Sequence, residues 1–149
     1  MRRLLCFLSL VLTAVSCGEP ATGPYYAPKA LAPDGLPVSL LITPATDSAT
    51  DTTTITASGD SVIATAVLRS SGCSDYRAVA GQANGVLVIT LIETSSDRIC
   101  ILISPPAVFR SVVRPIPPGE YRVEYRTRIV PPHQSARERI VGRQQLRLP

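Results

Sequence analysis

The sequence predicts an all-β protein, a single antiparallel β-sandwich. From Leu36 onward the apolar residues fall in short segments separated by Gly, Pro and Ser-Asp clusters. No window sustains the i, i+3, i+4 spacing of an amphipathic helix. Thr and Val recur in these segments, and their branched side chains suit a pleated surface. Short strands at this spacing pack as two stacked sheets.

In chain order the expected strands are 37–42 (PVSLLI), 52–57 (TTTITA), 61–68 (SVIATAVL), 75–81 (DYRAVAG), 85–92 (GVLVITLI), 98–104 (RICILIS), 107–114 (AVFRSVVR), 120–130 (EYRVEYRTRIV) and 138–148 (ERIVGRQQLRL). The segment 85–92 is apolar on both faces and belongs in the middle of a sheet. In 98–104, Ile99, Ile101 and Ile103 face one way and Cys100 and Leu102 the other. In 120–130, Tyr121, Val123, Tyr125 and Ile129 are expected inward, with Arg122, Glu124, Arg126 and Arg128 outward.

Two turns are marked by their residues. Asn84-Gly85 lies between two apolar runs, and both residue types accept the positive φ that a tight hairpin needs. Pro117-Pro118-Gly119 fixes the start of the strand that follows. The pattern P-G-x-Y-x-V over 118–123 resembles the strand start in many bacterial immunoglobulin-like and carboxypeptidase-regulatory-like sandwiches. That resemblance implies an immunoglobulin-like sandwich for residues 36–149 and carries no activity with it.

The N-terminus has a different character. Arg2 and Arg3 precede an uncharged run from Leu4 to Val15, which suits a signal peptide and is too short to span a bilayer. The run ends on Ala14-Val15-Ser16-Cys17, which resembles the lipobox of bacterial lipoproteins. The resemblance implies removal of residues 1–16 and attachment of a diacylglycerol to Cys17. Ala14-x-Ser16 also suits the ordinary secretory peptidase, which would cut the same bond and leave Cys17 bare. Gly18, rather than Asp, follows the cysteine; in a two-membraned cell the resemblance then implies the outer membrane. Residues 17–35 hold Pro20, Pro24, Pro28 and Pro33 and form a semi-rigid tether. At about 3 Å per residue it reaches roughly 50 Å. Tyr25 and Tyr26 within it form an aromatic pair able to touch headgroups.

Removing residues 1–16 of 149 leaves 133, enough for the tether and one domain with its own core. Cys6 departs with the signal and Cys17 carries the anchor, so Cys73 and Cys100 remain. In an oxidising compartment they are expected to form one disulfide. It would close 26 intervening residues and contribute on the order of 3–4 kcal/mol.

The formal charge of +4 falls to +2 once Arg2 and Arg3 are cleaved, which argues against a nucleic-acid partner. The lone lysine, Lys29, lies in the tether, so the domain's cations are all arginine. Outward Arg122, Arg126 and Arg128, with Arg139, Arg143 and Arg147 on the last strand, are expected to form a basic band. Guanidinium forks there would take an anionic glycan, a lipid headgroup or an acidic envelope protein. The competing reading is a solvated face in which Glu124 and Glu138 pair across strands.

Signatures of catalysis are missing: the chain has no Gly-x-Ser-x-Gly elbow, no Gly-rich phosphate loop and no metal-ligand cluster. His133, in the turn 131–137 (PPHQSAR), is an exposed bystander on this reading, and Asp75, Glu93 and Asp97 are solvated acids rather than paired carboxylates. The sequence thus predicts a non-catalytic, cofactor-free, lipid-anchored binding or structural module. A protease inhibitor or partner module presenting 131–137 is the first alternative, and a hydrolytic enzyme the second.

Overall fold

The computed structural model describes residues 35–46, 51–70, 73–95 and 105–149. Every regular element among them is a strand: β1 (Val38–Pro44), β2 (Thr53–Ser58), β3 (Ser61–Arg69), β4 (Ser74–Ala83), β5 (Val86–Ser95), β6 (Pro106–Val113), β7 (Gly119–Val130) and β8 (Arg137–Leu148). The expected segments match these strands apart from 98–104, which lies outside the described residues.

The strands form two four-stranded sheets, ordered β1-β6-β3-β2 and β4-β5-β7-β8. Alternation fills the space between them. Val62, Ala64 and Ala66 of β3 and Ala107, Phe109 and Val113 of β6 meet Leu87, Ile89 and Leu91 of β5 and Tyr121, Val123 and Tyr125 of β7 in one buried cluster. Tyr76 of β4 meets Phe109 of β6 with ring centroids 4.9 Å apart and planes tilted by 50°, tying the sheets together. Asn84 and Gly85 have φ of 51° and 75°, so the β4–β5 turn is of the left-handed kind that Asn-Gly encodes.

The start of β7 is fixed by a local device. The Tyr121 hydroxyl donates to the carbonyl of Pro117 at 2.8 Å while its ring is buried in the core. This bond back to a carbonyl four residues upstream is the arrangement called a tyrosine corner in β-sandwiches.

Three sequence expectations need correcting. The sheets are not wholly antiparallel, because β5 and β7 pair in parallel, Val86 opposite Arg122 through Thr94 opposite Val130. Between those strands in the chain comes β6, which belongs to the other sheet. That order also departs from the immunoglobulin arrangement, which places strands A, B, E and D in one sheet and C, F and G in the other. Finally, Ile129 is 42% exposed: inward burial along β7 ends at Tyr125, and the strand runs on to the turn at 131–136.

The chain from the N-terminus enters by touching both sheets. The Leu36 amide donates to the Ala80 carbonyl of β4 at 2.9 Å, and two residues later Val38 pairs with Val113 of β6. This end of the sandwich also carries the β6–β7 link and the Asn84-Gly85 turn, while the turn at 131–136 lies at the other end.

Candidate functional site

The outer face of the second sheet carries the arginines of β7 and β8, and a β-bulge decides which of them share it. Glu124 lies opposite Arg143 and Tyr125 opposite Gly142, but Arg126 lies opposite Ile140, so Val141 is an extra residue in β8. An inserted residue reverses the facing of everything beyond it. Arg143, Gln145 and Arg147 therefore share the outer face with Arg122 and Glu124, whereas Arg139 falls opposite Thr127 on the inward side. There Arg139 lines a groove between the edges of β2 and β8 with Asp51, Thr53 and Leu68. Arg139 is thus not part of the expected band, and Ile140, 38% exposed, takes the outward position.

The middle of the band is internally neutralised. Arg126 reaches Glu124 Oε2 through Nη2 at 2.6 Å and Nε at 3.1 Å, and its Nη1 reaches Glu138 Oε1 at 2.8 Å. Arg143 Nε meets the other Glu124 oxygen at 3.0 Å. Glu124 is 9% exposed under these two guanidinium groups. The bonds from Arg126, and then from Arg143, hold its carboxyl below the usual range despite the cost of desolvation. The hydrogen bonds that Arg126 donates to Glu124 and Glu138 in turn raise its pKa. Arg122 and Arg128 make no ion pair among the described residues, and their neighbours on β5 are Val86 and Ile92.

Other candidates are dispersed. Glu93 lies opposite Tyr76, on the inward register, and accepts a hydrogen bond from the Ser74 hydroxyl at 2.7 Å. Asp75 points to the opposite face, so the two carboxylates do not converge. His133 is exposed with φ of 56°. Cys73 is half-buried immediately before β4. Cys17, Tyr25, Tyr26, Asp97 and Cys100 lie outside the described residues. Among the described residues no three His, Cys, Asp or Glu side chains are grouped to hold a metal, and no helix is long and apolar enough to cross a membrane.

No family model, curated protein or solved structure matches this chain.

A second basic feature escaped the sequence reading. On the outer face of the first sheet, a depression of about 290 Å³ is lined by Ser39 of β1, Arg110 and Val112 of β6, Arg114 just beyond it, Ser58 and Ser61 at the β2–β3 turn, and Ile63 of β3. Arg110, Val112 and Arg114 are spaced by two residues in FRSVVR, so they project to one side. The serines come from separate strands, brought in by the pairing of Ser39 with Val112, of Val112 with Ile63 and of Ser58 with Ser61. Only the arginine spacing was available to a reader of the sequence.

Proposed function

We propose that this chain is a non-catalytic lipoprotein of the bacterial envelope: residues 1–16 are removed, Cys17 carries the lipid, residues 17–35 are the tether, and residues 36–149 form a binding or structural β-sandwich. The observation that carries this reading is the uncharged run ending on Ala14-Val15-Ser16-Cys17 and followed by a proline-rich segment. The chain's point of entry into the domain fits it, since Leu36 and Val38 attach to both sheets at one end. The proposed tether joins the domain at that end, opposite the turn at 131–136.

A disulfide between Cys73 and Cys100 belongs to the same reading. Cys73 directly precedes β4, whose first residue Ser74 pairs with Ser95, five residues before Cys100. The bond would staple the end of the β4–β5 hairpin remote from its turn.

The deciding experiment is the intact mass of protein extracted from membranes, before and after reduction and alkylation. The expected result is a chain beginning at Cys17 with an added acyl-glyceryl mass and two cysteines that alkylate only after reduction. A bare N-terminal Cys17 would sink the anchor, and two freely alkylated cysteines would sink the disulfide.

A second reading, a protease inhibitor or protein-partner module, is favoured by the turn at 131–136. It links the two twelve-residue strands at the end away from Leu36, with exposed His133 in a left-handed conformation. On that reading Arg137→Ala abolishes binding or inhibition while leaving the melt unchanged.

A further inference from the structure

We infer that the depression between Arg110 and Arg114 binds a phosphate group and, resting on the lipid-anchored reading above, that the phosphates it meets are headgroups of the membrane holding the anchor. The two arginines are four residues apart along β6 and just past its end, roughly 13 Å between Cα atoms in an extended chain. Both are exposed, and neither makes an ion pair among the described residues. Val112 and Ile63 line the depression with them, and its remaining lining residues, Ser39, Ser58 and Ser61, carry hydroxyls rather than acids. The Ser61 hydroxyl donates to the Asp60 carboxylate at 3.0 Å, so Ser39 and Ser58 are the hydroxyls left to donate.

Two contrasts favour this place over the β7–β8 band. Outward positions on β1, β6, β3 and β2 include no Asp or Glu, whereas Glu120, Glu124 and Glu138 interrupt the arginines of the second sheet. A guanidinium without a carboxylate partner keeps its fork for an incoming oxyanion. The site also sits where the chain from Cys17 arrives, since the Arg114 amide donates to the Pro37 carbonyl at 3.3 Å. The depression therefore lies at the end of the domain that residue 35 enters.

The test uses the mature chain from residue 17 carrying Cys17→Ser, so that no acyl chain contributes to binding. Inorganic phosphate is titrated while the arginine Nε–Hε resonances are followed by NMR. Sedimentation with phosphatidylglycerol-containing vesicles is then compared with phosphatidylcholine vesicles. The expected result is movement of the Arg110 and Arg114 signals, preference for the anionic vesicles, and at least about tenfold weaker binding in Arg110→Gln/Arg114→Gln with an unchanged melt. Arg77→Gln, an exposed arginine of β4 outside both basic surfaces, should leave binding intact. Phosphate binding without vesicle preference would keep the site and overturn the headgroup as its ligand. No response to phosphate, or equal binding by the Arg110/Arg114 double variant, would overturn the site. Acylation of the native chain is read separately by mass, so failure of the anchor and failure of the phosphate site are distinguishable.

Discussion

The Ser111 hydroxyl of β6 and the Tyr125 phenol oxygen of β7 lie 3.3 Å apart across the interior, and both side chains are fully buried. Each is the polar partner of the other between two apolar sheets. Tyr125→Phe is therefore expected to strand the Ser111 hydroxyl, and Ser111→Ala the phenol, each destabilising the fold by about 1–3 kcal/mol. The double variant should recover part of that loss. Urea denaturation of the four proteins checks it; strictly additive losses would mean that the two groups do not depend on each other.

The same burial sets a response to alkali. Desolvation raises the Tyr125 pKa, opposed in part by the Ser111 hydrogen bond. A phenol held neutral in the fold ionises first in the unfolded chain. Its contribution to stability is thus complete below the ordinary phenol pKa of about 10 and is lost as pH rises from there through the raised value. Stability of the wild type should fall above about pH 10, and Tyr125→Phe should flatten the slope. Tyr121, also raised by burial, leaves a residual slope.

Glu124 gives the opposite sign. Arg126 and Arg143 lower its pKa, so its contribution is present above the ordinary glutamate range and disappears as pH falls through the depressed value. Glu124→Gln should make stability less sensitive to pH in that acidic window. The check is a series of thermal melts from neutral pH downward, and parallel curves for the two proteins would remove Glu124 from the account.

Gly142 follows the bulge residue of β8 where that strand approaches β2. A Cβ there would lie 2.6 Å from Thr53 Cγ2 and 3.4 Å from Ile55 Cδ1. Gly142→Ala is expected to cost about 1–3 kcal/mol through overpacking. Thr53→Ser removes the nearest methyl and should relieve most of the loss in the double variant. Denaturation midpoints measure both.

The strands could be read from the chain because each carries its own period. GVLVITLI belonged mid-sheet by composition, and β5 does lie between β4 and β7. Asn84-Gly85 encoded its turn through the backbone freedom of two residues. Facing along β8 could not be read the same way. Simple alternation over ERIVGRQQLRL puts Arg139, Arg143 and Arg147 together, and nothing in that string announces that Val141 is unopposed. The bulge reflects the fit of β8 against β7 and β2, which is a property of three strands at once. Neutralisation of Arg126 and Arg143 was half visible, since Glu124 and Glu138 were recognisable partners, but the burial of Glu124 beneath both guanidinium groups was not. The depression at Arg110 and Arg114 depends on which strands become neighbours, and strand order is the information that periodicity lacks.

The parallel seam between β5 and β7 has a kinetic consequence. The hairpins β2–β3, β4–β5 and β7–β8 join consecutive strands and close over short loops, whereas β5 and β7 meet only after β6 has been laid down in the other sheet. Pairing that spans more chain forms more slowly. Refolding should therefore pass through a stage in which the hairpins exist and the adjoining edges of β5 and β7 are still open. Open edges recruit strands from other molecules. Yield on refolding should then fall with rising protein concentration, even under conditions where the finished fold is stable.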